Sequence, residues 1–339
     1  MLQRRCALLL AALLCLSGCF QPASAIVSPA AFNDPYDICM NAYNTLLSNA
    51  ADQSGEALET LLTHAENGYV PAQCMLGTLY DFGIGVSQNA QEATRWFTLA
   101  ADSGNAMALY QLGGMYARDQ SSPRDYDAAF KMFLRAAQMG YAPAQYDLGN
   151  LYRDGNGTEP SLNEALRWYE AAAVQGHASA QVCLGVLLLE EPLCMDQEKA
   201  FEWFMKAAEQ DDATGLHNVG YCYYNGYGVA QSYTHAMKWL LSASELGHYA
   251  SGLYIGNMYY FGEGVRQDLT EAFKWYSISA ERGLPEAQLV LGVLCEHGIG
   301  TERDPEQAAK WNKAANDQGY YITWENTWAY LSEAMHLEK

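Results

Sequence analysis

The chain has 339 residues, half of them hydrophobic and 12% aromatic, which is enough apolar material for a large core and excludes a disordered spacer. Asp and Glu number 39 against 19 Lys and Arg, a formal charge of −20. That balance excludes a nucleic-acid binder, which must neutralise phosphates, and excludes broad electrostatic attachment to anionic lipid.

Arg4 and Arg5 precede an apolar run over residues 7–16, the layout of a secretory signal peptide and too short for a permanent bilayer span. Two processing sites compete. Leu16, Ser17, Gly18 and Cys19 resemble a bacterial lipobox, with residues 1–18 as signal and Cys19 as the lipidated first residue. Ala23, Ser24 and Ala25 resemble an ordinary signal-peptidase site, which extends the signal to residues 1–25. The expectation is an exported chain: an outer-membrane lipoprotein facing the periplasm or surface, or a soluble periplasmic or secreted protein. Residues 19–35 read as a flexible tether and residues 36–54 as an N-terminal capping helix.

From residue 55 onward the chain repeats. Gly77, Gly113, Gly149, Gly185, Gly220, Gly256 and Gly292 recur every 36 residues, with one interval of 35. An aliphatic residue precedes each, a small residue stands five before, and Tyr stands three after in most units. A second segment carries Ala three residues before Trp, as in Ala93 and Trp96 or Ala165 and Trp168, then small pairs. Gly closes it at 68, 104, 140, 176, 247, 283 and 319, with Asp211 the exception. Offsets of three, four and seven mark amphipathic helices, and a closing Gly is a helix C-cap signal. Each unit is therefore a pair of antiparallel helices, over residues 55–319. Residues 320–339, with Trp324 and Trp328 one turn apart, read as a C-terminal capping helix.

These motifs, with Gly-x-Gly-Val connectors at 83–86, 226–229 and 262–265, resemble the Sel-one-like repeat, related to tetratricopeptide repeats. The resemblance implies an all-α fold, a right-handed α/α superhelical solenoid of about seven 36-residue helix pairs with capping helices. The pattern fails at Asp119, Gln120 and Ser121 and at Glu191, Pro192 and Leu193, where connectors lack Gly-x-Gly, and at Thr60 and Met132, which take Trp positions.

Chemistry-bearing motifs are scarce. The Gly-x-Gly turns follow helices rather than strands, so they read as helix-to-helix turns and not nucleotide cradles. The seven His show no ligand spacing, no Cys-x-x-Cys occurs, and neither Gly-x-Ser-x-Gly nor Ser-x-x-Lys is present. No catalytic residue, metal or cofactor is expected. Six cysteines lie beyond the signal; Cys183 and Cys222, on adjacent first helices, are candidates for a cross-repeat disulfide in an oxidising compartment.

On the first helices, positions −5, −1 and +3 from the repeat Gly form a buried stripe, and −3, +1 and +4 fall on another face. By resemblance the first helices line a concave groove. That face carries Tyr110, Tyr146, Asn150, Arg153, His217, Tyr221, Tyr224, Asn257, Tyr260 and Glu296, with Arg118 one step round. A Tyr-rich surface suits protein or peptide recognition. The expected function is a non-enzymatic interaction scaffold or adaptor of the cell envelope, binding a protein or peptide partner in this groove. It would touch a membrane only through an N-terminal lipid. The alternative is a cell-wall-related enzyme, β-lactamase-like, or a peptidoglycan or glycan binder.

Overall fold

The computed structural model describes residues 34–48, 54–118 and 125–321. The expected signal and Cys19, the tether to residue 33, the connector at 119–121 and the C-terminal cap beyond residue 321 lie outside them. Among the described residues there are sixteen helices and no strand, and no helix is long and apolar enough to cross a membrane. The chain divides into two compact units between Ala171 and Ala172.

The first unit holds α1 (Pro35–Leu47), α2 (Ser54–Glu66), α3 (Val70–Phe82), α4 (Ala90–Asp102), α5 (Ala106–Arg118), α6 (Tyr126–Gln138) and α7 (Ala142–Asp154). Helix α8 (Leu162–Val174) contains the division. The second unit holds α9 (Ala178–Glu190), α10 (Gln197–Ala208), α11 (Ala213–Asn225), α12 (Tyr233–Glu245), α13 (Ser251–Phe261), α14 (Leu269–Glu281), α15 (Pro285–His297) and α16 (Pro305–Asn316). From α1 to α7, and again from α9 to α16, each helix packs against the next in chain order. The fold is an all-α solenoid of helix pairs. The repeat glycines all lie on the first helices, α3, α5, α7, α9, α11, α13 and α15. The N-terminal cap is shorter than expected: α1 stops at Leu47, and the next helix starts at Ser54.

Short polar side chains start the second helices. The carboxylates of Asp125, Asp196, Asp268 and Asp304 accept the backbone N–H three residues on, at 2.9–3.1 Å. Such a cap satisfies an N–H that has no partner inside the helix. The first helices end differently. Gly155 is left-handed, with φ 71°, and its N–H bonds the Leu151 carbonyl. Two residues on, Gly157 (φ 70°) runs against the Tyr126 carbonyl at the start of α6, where a Cβ would collide with backbone. The Gly-x-Gly is thus a C-cap followed by a close approach to the preceding pair, a structural turn. Asp211, the exception among the closing glycines, is also left-handed, with φ 56°.

The repeat glycines have a different purpose. A Cβ on Gly149 would lie 2.7 Å from Tyr169, and Gly113 meets Phe133 in the same way. In five of the seven pairs the residue following the Trp position is aromatic and lies over the glycine; Leu240 and Asn312 take that place over Gly220 and Gly292. Positions −5 and −1 are buried throughout, as in Ala108 and Leu112 or Ala144 and Leu148. Position +3 departs from the expected stripe: Tyr80, Tyr152 and Tyr223 are half-buried and Tyr116 is exposed. Trp96 and Trp168 are buried, whereas Trp203, Trp239, Trp275 and Trp311 are half-buried. The side chain over each repeat glycine is therefore the neighbour of the Trp position, not the Trp itself.

Candidate functional site

In the first unit, the face shared by α5 and α7 holds a pocket of about 300 Å³. It is lined by Gly114, Ala117, Phe133, Leu151 and the polar group Tyr110, Gln111, Arg118, Asp147 and Asn150. Tyr110 packs on Phe133 and Tyr141, with ring centroids 5.6 and 5.4 Å away. Its hydroxyl bonds the Asp147 carboxylate. Burial, then the Asp147 charge and that bond, push the phenol far above its ordinary range. Burial likewise raises Asp147, partly offset by the hydrogen bonds from Tyr110 and Asn150. Arg118 is exposed but committed, with Nη2 2.9 Å from Asp81, Nε donating to the Gly114 carbonyl at 3.0 Å, and the guanidinium over Phe82.

In the second unit, α11 and α13 present a continuous run of rings. Tyr254 touches Tyr221 at 5.4 Å and Tyr224 at 5.6 Å, and Tyr221 also meets Tyr227 at 5.7 Å. The rings meet at 62–71°, edge to face. All four are half-buried. Burial, then the neighbouring tyrosines and Glu190, push Tyr221 up to about 12. Burial and then Glu286 raise Tyr254. Tyr224 donates to Glu263 Oε2 at 2.6 Å, and Tyr233 donates to Oε1 at 2.9 Å, so one carboxylate fixes two rings.

Beside these rings, His217 and His248 stack at 4.2 Å, and both Nδ1 atoms contact the Ser251 hydroxyl, at 3.0 and 3.2 Å. Burial first and His248 second hold His217 down to about 3. Burial also lowers His248, against the opposing pull of Asp212.

The remaining sequence candidates scatter. Tyr146 packs on the Tyr169 ring at 6.0 Å, and Asn150 accepts the Tyr169 hydroxyl at 2.7 Å. Arg153 is exposed and pairs with Asp154 next to it. Glu296 accepts from Arg303 at 3.0 Å, in the following connector. Two candidates correct the expected face. Tyr260 is fully buried and Asn257 nearly so, and Asn257 accepts the Tyr276 hydroxyl at 2.9 Å. Both belong to the packing between α13 and α14, whereas Tyr221 and Tyr224, at the same +1 and +4 positions on α11, stay half-buried. Asp147, Gln111 and Tyr254, which sequence reasoning missed, all stand at −2 from the repeat Gly. Position −2 lies one turn before +1, and its residues, which run from Met75 and Cys183 to Val290, share no type that marks it in the sequence.

The six cysteines of the described residues are thiols, and Cys183 and Cys222 are not joined. Cys222 sits fully buried beside Val219 and Leu216, where burial pushes its thiol up to about 12. Among the described residues no group of three or more His, Cys, Asp or Glu is placed to hold a metal.

A family profile for the Sel1 repeat matches residues 70–105, 106–141, 142–177, 188–212, 213–248, 253–284 and 285–320. Two solved structures are similar over most of the chain. One is c5321, described as a protective antigen present in uropathogenic Escherichia coli strains displaying an SLR fold, at 33% identity and TM-score 0.69. The match covers 83% of this chain and 60% of that one, so this chain spans less than two thirds of its length. The other is a Sel1 repeat protein from Oxalobacter formigenes, at 26% identity and TM-score 0.63, covering 93% and 98% of the two chains. No curated protein matches the chain.

Proposed function

The chain belongs to the Sel1 repeat family, whose members are generally protein-interaction scaffolds without catalysis, and from that premise we propose an exported scaffold of the bacterial cell envelope. It binds a protein or peptide partner on the exposed face of its first helices. The observation that carries this reading is the cluster of Tyr221, Tyr224, Tyr227 and Tyr254. Tyrosine offers broad apolar contact and a hydrogen bond with only two side-chain torsions to freeze, which suits it to the centre of an interface. Cys19 holds the protein to a membrane through lipid, and the tether leaves the repeats free to meet a partner.

The test is crosslinked affinity capture from the native envelope, followed by measured affinity for the captured protein. Tyr221→Ala with Tyr224→Ala should weaken that affinity at least tenfold and leave helicity unchanged. Undiminished affinity would remove the face from consideration. Hydrolysis of a peptidoglycan fragment or β-lactam by the purified protein would replace the scaffold with an enzyme.

A further inference from the structure

We propose that the pocket between α5 and α7 receives an arginine side chain of the partner, with the guanidinium on Asp147 and the stem along Leu151 and Ala117. The inference rests on the scaffold reading and names the chemistry its partner brings.

The pocket's size comes first. A volume of about 300 Å³ lies at the lower end of small-ligand pockets, which run from about 300 to 1,000 Å³. It suits one long side chain rather than a folded ligand. Gly114 contributes bare backbone to the wall: a Cβ there would meet only the Arg118 guanidinium, at 3.9 Å.

The carboxylate decides the sign of the ligand. Asp147 takes hydrogen bonds from Tyr110 and, at 3.5 Å, from Asn150, and it forms no ion pair with any described residue. A carboxylate has about four acceptor sites, so two stay open. A charge held away from water without a counter-charge is costly, and a cation arriving from outside recovers that cost. Arg118 is the one cation lining the pocket among the described residues, and Asp81 and the Gly114 carbonyl already hold it. The site therefore faces inward with an unpaired negative group. The formal charge of −20 steers basic segments toward the same surface.

Arginine fits better than lysine. Its planar fork matches a carboxylate, sheds water more readily, and stacks on aromatic faces. The Tyr110 and Phe133 rings supply such walls at 5.6 Å from each other.

The experiment uses the mature protein and four capped tripeptides, Gly-Arg-Gly, Gly-Lys-Gly, Gly-citrulline-Gly and Gly-Glu-Gly. Binding is followed by NMR shifts of tyrosine resonances. The arginine peptide should bind, with the citrulline peptide at least tenfold weaker, since citrulline keeps the shape and loses the charge. Asp147→Asn should lower arginine-peptide affinity at least tenfold. Gly114→Leu fills the pocket without backbone collision, so it should block binding in a folded protein even if Asp147→Asn does not fold. Equal binding of arginine and citrulline peptides, no binding of the arginine peptide, or a preference for the glutamate peptide would each overturn the assignment. Loss of the tripeptide with partner capture intact condemns the pocket alone. Capture insensitive to the Tyr221 and Tyr224 substitutions condemns the scaffold face alone, because those residues do not line this pocket.

Discussion

Protonating His217 costs the folded protein a charge inside the aromatic cluster of its second unit. Its Nδ1 shares the Ser251 hydroxyl with His248, an arrangement in which one ring donates and the other accepts, so the accepting ring must be neutral. His248 stacks on one side and Tyr254 meets it at 5.6 Å, while Asp212 is the carboxylate that acts on His248. The unfolded chain binds this proton near pH 6.5, and the folded chain only near about 3. The unfolded state therefore holds more protons between those values. The stability from a neutral His217 is complete above pH 6.5 and declines as pH falls toward 3, by about 1.4 kcal/mol for each pH unit. Urea melts at pH 7 and pH 5 should show the loss, with His248 adding in the same direction. His217→Gln, which keeps a hydrogen-bonding group but no proton to gain, should flatten the dependence. A variant as acid-sensitive as the parent would locate the effect elsewhere.

At the scale of the helix pair, the repeat glycine fixes how closely two helices approach. Gly149→Ala sets two effects against each other. Alanine gains about 1 kcal/mol of helix propensity, while overpacking costs about 1–3 kcal/mol. The Tyr169 ring cannot easily step aside, because its hydroxyl is tied to Asn150 on the same first helix. Clash should win, and Tm should fall. Gly114→Ala, on an equally helical stretch with open space beside it, should hold or raise Tm. A Gly149→Ala protein melting no lower than the parent would dismiss close approach as the reason for the glycine. This level of organisation was legible in the residues: the glycine period falls inside each first helix, and the closing glycines with the exception at Asp211 follow the ends of the second helices. The candidate face was legible only in part. Periodicity separates a buried stripe from the rest, but −3 and −2 are one residue apart on a helix. The packing angle against neighbours decides which of them faces outward. It brings Asp147 and Tyr254 into the face and turns Asn257 and Tyr260 inward. A buried glutamine went unnoticed for a similar reason. Gln73, Gln145, Gln181 and Gln288 each donate to a carbonyl eight residues earlier, at 3.0–3.2 Å, clamping a first helix to the end of the helix before it. A polar residue in a buried stripe gives no periodic signal until its acceptor is visible.

At the scale of the molecule, charge and address act together. A chain with 39 acids against 19 bases repels anionic lipid, so the membrane attachment proposed above calls for the covalent lipid on Cys19. Cys19→Ala should therefore move the protein from membrane to soluble fractions in cell fractionation, while leaving the repeats folded. An unchanged distribution would favour processing after Ala25.

The connector at Glu191, Pro192 and Leu193 bears on how such a chain can change length. Connectors built on Gly-x-Gly seat their second glycine against the start of a preceding helix; Gly228 meets the Gln197 carbonyl, and Gly300 meets the Leu269 carbonyl. An added residue there would lift the turn off its seat. The 191–193 stretch contains no glycine. It leaves α9 in extended conformation at Glu191 and carries Leu193 at 90% exposure. It also lies in the one repeat interval of 35 residues, between Gly185 and Gly220. Insertion and deletion are cheaper at this seam than at a seated Gly-x-Gly turn, so a label or a tag can be grafted there without disturbing the helices on either side.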